Sequence, residues 1–296
     1  MKRIINNYYN LYPDEIKYRY GGVFFVINDI SYLLTETTHE PQAILNIYEL
    51  LFKNHIGNFL LINNLAGNAV SVEANKFYIL YKIRCEVDET LMLKETIKIS
   101  ANGTAGWSKL WSERINYYEV QINELAQDKL AILQSINYYI GLAENAIAIA
   151  AKMEKELDEK DYAIQHYRMN VPVKKGEYFN PSNMLIDINV RDIAEYIKSS
   201  FFNNSRTPEE YINYLLALPL DVKKANLLLA RLLYPTYYFD LFDEIVLNER
   251  EEKELIPIIN EVHRYERFLI NLYEKLSTKT PIIYIEWLKK GTKVPH

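Results

Sequence analysis

The chain has 296 residues, 49% of them hydrophobic and 25% charged, with a formal net charge of -5. That length holds a real core in one large or two modest domains, and the acidic balance argues weakly against nucleic acid or an anionic membrane as partner. The lone Cys85 excludes a disulfide framework and any multi-cysteine metal site, and no stretch reaches the ~18–20 uninterrupted apolar residues of a membrane span.

The N-terminal residues Met1 to Asn7 have no apolar run behind them that could serve as a signal peptide, so the expected compartment of synthesis is the cytoplasm. Only 9 glycines are present, about half the usual ~7%, which makes glycine-rich phosphate loops scarce from the outset. Tyrosine, by contrast, occurs 25 times. Tyrosine-rich surfaces suit protein contacts, because a large ring orders at low entropy cost and keeps a polar tip. Compositional drift in an AT-rich genome explains the same bias, together with the many Asn, Ile and Lys.

Residues 1–84 read as a small mixed lobe. Val23-Phe24-Phe25-Val26-Ile27 and Ile30-Ser31-Tyr32-Leu33-Leu34 are strand-like runs joined by Asn28-Asp29, a two-residue hairpin turn. A helical stripe of Ile44, Ile47, Tyr48, Leu51 and Phe52 follows, with Pro41 near its start. Residues 59–62 and 76–83 read as further strands. Strand, strand, helix, strand, strand is the order of a kinase N-lobe.

Helices take over from about Arg84. Trp107, Trp111, Ile115, Tyr118, Ile122 and Leu125 recur at three- and four-residue spacing, and residues 130–151 are apolar almost all round, as a central buried helix would be. Residues 154–161 form a charged connector. A polar loop region with Pro and Gly runs from Tyr162 to Phe202, between helical regions, where a site is expected. Thr207-Pro208-Glu209-Glu210 is a helix start with Thr as N-cap. Residues 225–233, 237–246 and 256–276 complete the helical part.

The stretches WSKLWSERINYYE (107–119), INYYIGLAENAIA (136–148), VRDIAEYI (190–197), LLLARLLYPTYYFDLFDEI (227–245) and RYERFLINLYEKL (264–276) together resemble the spore-coat-associated kinase-like proteins of endospore-forming Firmicutes. Within them the likeness is to the YutH-type branch of the CotS-like proteins. The N-terminal lobe matches only in its pattern of elements. The resemblance implies the fold of aminoglycoside and choline phosphotransferases. It also implies an α+β, protein-kinase-like two-lobe architecture: a β-rich N-lobe over residues 1–84 and a larger helical C-lobe over residues 85–296. A link to sporulation and the spore coat comes with it.

Phosphoryl transfer on a kinase fold needs a lysine on the phosphates, a catalytic Asp, and an Asn and an Asp on magnesium. The strand-three lysine should lie within residues 30–36, and none is there. Lys53 and Lys82 read as solvated, and Gly21-Gly22 as a turn entering a strand rather than a phosphate loop. The catalytic loop has two registers. In one, His166-Tyr167-Arg168 stands for a His-x-Asp motif and Arg168 replaces the base. In the other, Asn183 is the metal asparagine and Tyr178 stands where the base should be. Neither Arg168 nor Tyr178 serves as a carboxylate base.

Asp187 is the remaining metal-ligand candidate with Asn183; its alternative role is a turn residue before a helix at Val190 capped by Asn189, with Asp192 at N3. His166 with Arg168 makes an anion-binding pair if both face the cleft, or His166 is a hydrogen-bonded core residue. The other histidines, His39, His55, His263 and His296, have no metal spacing. These observations lead to a catalytically degenerate kinase-like protein acting through protein contacts, with spore coat components as expected partners. An active small-molecule phosphotransferase using ATP and magnesium, with Asp187 and a base such as Glu177 or Asp161, is the alternative. A nucleotide-binding module without turnover is the third.

Overall fold

The structure is a computed structural model that describes residues 1–86, 88–91, 99–104, 106–203 and 205–290. His296 lies outside the described residues. In chain order the first elements are α1 (Lys2–Tyr9), β1 (Lys17–Arg19), β2 (Gly22–Ile27), β3 (Ile30–Thr37), α2 (Pro41–Lys53), β4 (Phe59–Ile62), β5 (Ser71–Glu73) and β6 (Lys76–Ile83). There follow α3 (Trp107–Leu125), α4 (Leu130–Met153), β7 (Tyr162–His166), α5 (Lys175–Tyr178), β8 (Met184–Ile188) and α6 (Arg191–Phe202). The last are α7 (Pro208–Ala217), α8 (Val222–Leu233), α9 (Thr236–Val246), α10 (Ile256–Asn260), α11 (Val262–Ser277) and α12 (Glu286–Lys290).

Two compact units result, each made of two chain segments: Met1–Gly103 with Tyr162–Asp187, and Thr104–Asp161 with Ile188–His296. This grouping differs from a single cut after residue 84, because the loop around β7 and β8 is hydrogen-bonded to the sheet of the first unit, as described below.

The first unit is built on an antiparallel sheet of order β1-β2-β3-β6-β4, with β5 paired to β6. Asn28 and Asn28's neighbour Asp29 both take positive φ (49° and 60°), the twist a two-residue hairpin turn requires, so Ile27 faces Ile30 across the ladder. Strand periodicity splits the apolar residues between two faces. Val23, Phe25, Leu34 and Leu80 pack on Ile4, Ile5 and Tyr9 of α1, while Phe24, Leu33, Ile79 and Tyr81 pack on Ile44 of α2. Helix α1 was passed over in the sequence: Ile4, Ile5, Tyr8 and Tyr9 recur at helical spacing, but it is eight residues long and lacks a side-chain cap. Burial against the sheet holds it, since so short a helix is marginal alone.

The second unit is helical, with α4 running through its core. Ala143, Ala146 and Ala150 are fully buried on that helix, and such small side chains let neighbouring helices approach closely. Thr207 and Glu210 form the reciprocal capping box that their spacing predicts. Two local expectations are corrected. Residues 256–276 are not one helix: α10 ends at Asn260, and the N–H of Glu261 bonds Ile258 O three residues back, tightening the turn before α11. Asn189 does not cap α6. Its N–H goes to Asp161 O (2.9 Å), its side-chain oxygen has no hydrogen-bond partner among the described residues, and Val190 is the N-cap residue.

The family-like stretches converge inside this unit. Glu195 of α6 receives Arg231 Nε (2.6 Å), Lys198 Nζ (2.8 Å) and the Thr236 hydroxyl (3.0 Å). Lys198 also donates to the carbonyls of Arg231 (2.9 Å) and Tyr234 (3.0 Å). Arg231 lies over the rings of Trp107 (5.1 Å) and Trp111 (5.5 Å), and Trp111 stacks on Tyr234 (4.2 Å). Glu195, Lys198, Arg231 and Thr236 are all buried, so this is a structural ion cluster rather than a surface. More than half of the 25 tyrosines are buried likewise, many in ring stacks such as Tyr139–Tyr238 at 3.7 Å. The tyrosine bias therefore feeds the core first.

Candidate functional site

Strands β7 and β8 pair as a two-stranded sheet, and the chain between them makes the candidate site. The loop returns on itself through Asn180-Pro181-Ser182-Asn183. Asn180 Oδ1 accepts the N–H of Ser182 (3.0 Å), an Asx-type turn that the Asn-Pro pair favours.

The loop is bound to the sheet of its own unit at three places. Ser182 Oγ lies 2.8 Å from the Thr35 hydroxyl of β3 and 3.1 Å from the Tyr81 hydroxyl of β6, all three residues buried. Asn180 Nδ2 donates to Tyr20 O (2.9 Å) in the turn between β1 and β2. The ring of Tyr20 covers Gly176 so closely that a Cβ there would overlap it. Gly21, next in that turn, has φ +75°, and a Cβ on it would sit 2.6 Å from Asn183 Nδ2. At Gly21 the positive φ favours glycine, and at Gly176 a side chain would have to displace the Tyr20 ring.

A charged latch holds the turn. Arg19 pairs with Glu86 (2.5 Å) and with Asp88, and its guanidinium lies over the Tyr20 ring at 4.4 Å. Tyr20 donates to Asp88 Oδ1 (3.1 Å), and burial pushes its phenol up to about 12. Ser31 donates to Glu86 (2.6 Å), which with Arg19 holds that carboxyl below its usual range; the Arg19 hydrogen bond does the same for Asp88.

Beside this contact lies an open cleft of about 180 Å³, lined in part by Tyr18, Gly21, His166, Arg168, Glu177 and Asn183. His166 is buried at the end of β7. Its Nε2 lies 2.8 Å from Tyr178 O, and its ring stacks on Tyr178 at 4.1 Å, so the residues that define the two loop registers touch one another. Arg168 is exposed on the wall and donates from Nη1 to Tyr167 O (2.8 Å). Asn183 Nδ2 donates to Glu177 O (3.3 Å). Three of the four residues singled out from sequence thus share one cleft. Asp187, the fourth, is buried on β8 and is not among the residues lining it. Among the described residues no group of three His, Cys, Asp or Glu is placed to hold a metal ion.

Glu177 lines the cleft, whereas Asp161 belongs to the second unit. There it accepts Lys223 Nζ (2.6 Å) and the N–H of Asp158 (3.0 Å), an anchoring arrangement. The residues that sequence reasoning passed over are Thr35, Tyr81, Gly176 and Ser182. Only Asn-Pro carried a local signal; the rest become visible through contacts across the fold.

The structure resembles an aminoglycoside phosphotransferase from Alicyclobacillus acidocaldarius, with a TM-score of 0.52 at 8% identity over 91% of this chain and 94% of that one. It also resembles spectinomycin phosphotransferase in complex with ADP and spectinomycin, with a TM-score of 0.50 at 13% identity over 84% and 88% of the two chains. At these identities the likeness is one of fold: kinase-like, with an antiparallel N-terminal sheet and a larger helical C-terminal part. No helix among the described residues is long and apolar enough to cross a membrane. In sequence, the chain is 29% identical over 223 residues to the endospore coat-associated protein YutH of Bacillus subtilis strain 168. That match spans 66% of this chain and 65% of the length of that relative, just under two thirds. The family model described as "Spore coat putative kinase YutH" matches residues 2–272, nearly the whole sequence, and the chain belongs to that family.

Proposed function

We propose that this protein is a kinase-fold component of the spore coat that works through protein contacts and has lost phosphotransferase chemistry. The observation that carries the reading is the closed contact between the β1–β2 turn and the loop: Gly21 against Asn183, and Tyr20 against Gly176 and Asn180. In protein kinases the corresponding glycine-rich turn arches over nucleotide phosphates and a strand-three lysine reaches them. Here β3 offers Thr35, whose hydroxyl is engaged with Ser182, and Arg168 stands where the first register expects a proton-accepting carboxylate. Asp187 is buried on β8 and is not among the residues lining the cleft. These residues do not fit ATP with magnesium, and no catalytic step is assigned to them. The coat role follows the family and the Bacillus subtilis relative.

The test is a thermal-shift titration with ATP, ADP and AMP, each with and without magnesium, followed by a phosphotransfer assay across hydroxyl substrates. A bound ligand at ~100 times its dissociation constant stabilises a fold by roughly 2.7 kcal/mol. The expected response is flat, with no turnover, and Asp187→Asn should leave recovery of the protein in the coat fraction unchanged. Magnesium-dependent ATP consumption lost in Asp187→Asn would overturn the reading in favour of an active small-molecule phosphotransferase. A nucleotide shift without turnover would make it a binding module.

A further inference from the structure

The second unit carries an open groove between α3 and the C-terminal end of α9. We infer that it is a docking site for a basic amphipathic helix of a partner protein. The inference rests on the protein-contact reading and gives it a surface and a partner chemistry.

The groove has a volume of about 370 Å³. Arg114, Tyr117 and Gln121 of α3 line one side, and Asp243 and Val246 of α9, with Leu247 just beyond it, line the other. Tyr117 is 50% exposed and Leu247 64%, and Val120, one turn along α3 from Tyr117, is 51% exposed. Large apolar side chains gathered around one hollow mark an interaction site, whereas the same residues scattered singly would not. The polar groups of the floor are already satisfied. Arg114 pairs with Asp243, and its Nε donates to the Tyr118 hydroxyl (2.7 Å), so the groove offers a partner its apolar surface rather than an ion site.

Charge selects the occupant. Residues 116–128 and 236–249, which run along the two walls, hold three and four carboxylates and not one Lys or Arg. Arg114, Lys129 and Arg250, from outside those stretches, engage Asp243, Asp128 and Glu244. Glu119, Glu124 and Glu249 are exposed and have no ion pair among the described residues. A second copy of the chain would bring the same acidic face against this one, and like charges across an interface oppose docking. A partner carrying Lys or Arg is attracted instead.

The walls also select the partner's conformation. Both are helices, whose backbone N–H and C=O groups are used within the helix. An extended peptide would find no sheet edge here and would bury unpaired backbone groups of its own. A helix arrives with its backbone satisfied and docks by its apolar face alone.

The probe is a fluorescent synthetic peptide of about five helical turns, with Leu on one face and Lys on the other. It is titrated against the full chain and followed by anisotropy. One control peptide has the same composition in an order that breaks the apolar face; another has Glu in place of Lys. Saturable binding of the Leu/Lys helix is expected, weakened at least ~tenfold in Leu247→Asp and ~threefold or more when Glu119→Lys and Glu124→Lys are combined, with neither control competing. All three altered residues are exposed, and a thermal melt confirms that each variant is folded. Equal binding of either control peptide, or binding unchanged in Leu247→Asp, overturns the proposal. Sedimentation of the chain alone as a dimer that Leu247→Asp dissociates overturns it too, because a second copy then fills the groove. Loss of chemistry is judged separately by ATP turnover, which does not bear on these titrations.

Discussion

Gly21 and Asn183 are in contact although 162 positions of sequence number separate their labels: a Cβ on the glycine would lie 2.6 Å from the asparagine amide nitrogen. One residue belongs to the turn between β1 and β2, the other to the loop before β8. Their approach, with Tyr20 folded over Gly176, makes a packed joint of the turn and the loop. The joint is the physical basis of the functional reading, and it yields direct tests.

Gly176→Ala should destabilise the protein by about 1–3 kcal/mol, the usual range for forcing a methyl group into occupied space. The Tyr20 ring must leave its seat, and the latch of Arg19, Glu86 and Asp88 moves with it. Urea denaturation monitored by circular dichroism reads the change; an unaltered midpoint would show that the turn is not docked.

Ser182→Ala removes the partner shared by the buried Thr35 and Tyr81 hydroxyls. The expected loss is about 1–3 kcal/mol, chiefly the cost of taking the partner from the buried Tyr81 hydroxyl, since Thr35 still donates to Ile79 O (3.3 Å). Tyr81→Phe made together with Ser182→Ala should cost less than the sum of the two changes, because the buried phenol then no longer needs a partner. Additive effects in that double-mutant cycle would refute the coupling.

Arg231→Met in the second unit should cost about 3–5 kcal/mol, since it leaves Glu195 buried with a weaker counter-charge from Lys198. The same change strips the cation from above Trp107 and Trp111. Thermal melts of the variant against Glu195→Gln separate the lost pair from the lost aromatic contact.

The latch also gives a pH signature. The Arg19 hydrogen bond depresses the Asp88 carboxyl below its usual value, so the pair stabilises the fold above the unfolded carboxylate pKa of about 3.9. That contribution disappears as pH falls through the lower folded value. Asp88→Asn should therefore be less stable than the parent at pH 6, with the difference vanishing under strongly acidic conditions. Denaturation midpoints measured across that range check it, and a gap that widens on acidification would contradict the assignment.

Local pattern by itself determined a good part of this protein. The Asn28-Asp29 hairpin, strands β4 and β6, helix α3 and the Thr207–Glu210 cap are all set by neighbours within a few residues, where turn chemistry and apolar period act directly. The 107–119 stretch of the family likeness was legible as an amphipathic helix, whereas 162–202 read as a polar loop region and instead holds β7, β8 and α6. Tertiary structure decided the rest. Helix α1 shows a helical stripe of Ile4, Ile5, Tyr8 and Tyr9, but a stretch of eight residues is too short to be stable until those side chains find a sheet face to cover. Thr35 and Ser182 are separated by 147 residues, and their hydroxyls meet only when β3 and the loop are packed. The Glu195–Arg231 pair is likewise invisible as charge pattern, since its buried state depends on helices that fold around it. A short-range pattern encodes which residues face inward; which inward-facing polar group meets which is fixed by the assembled core, where an unmatched partner is too costly to bury.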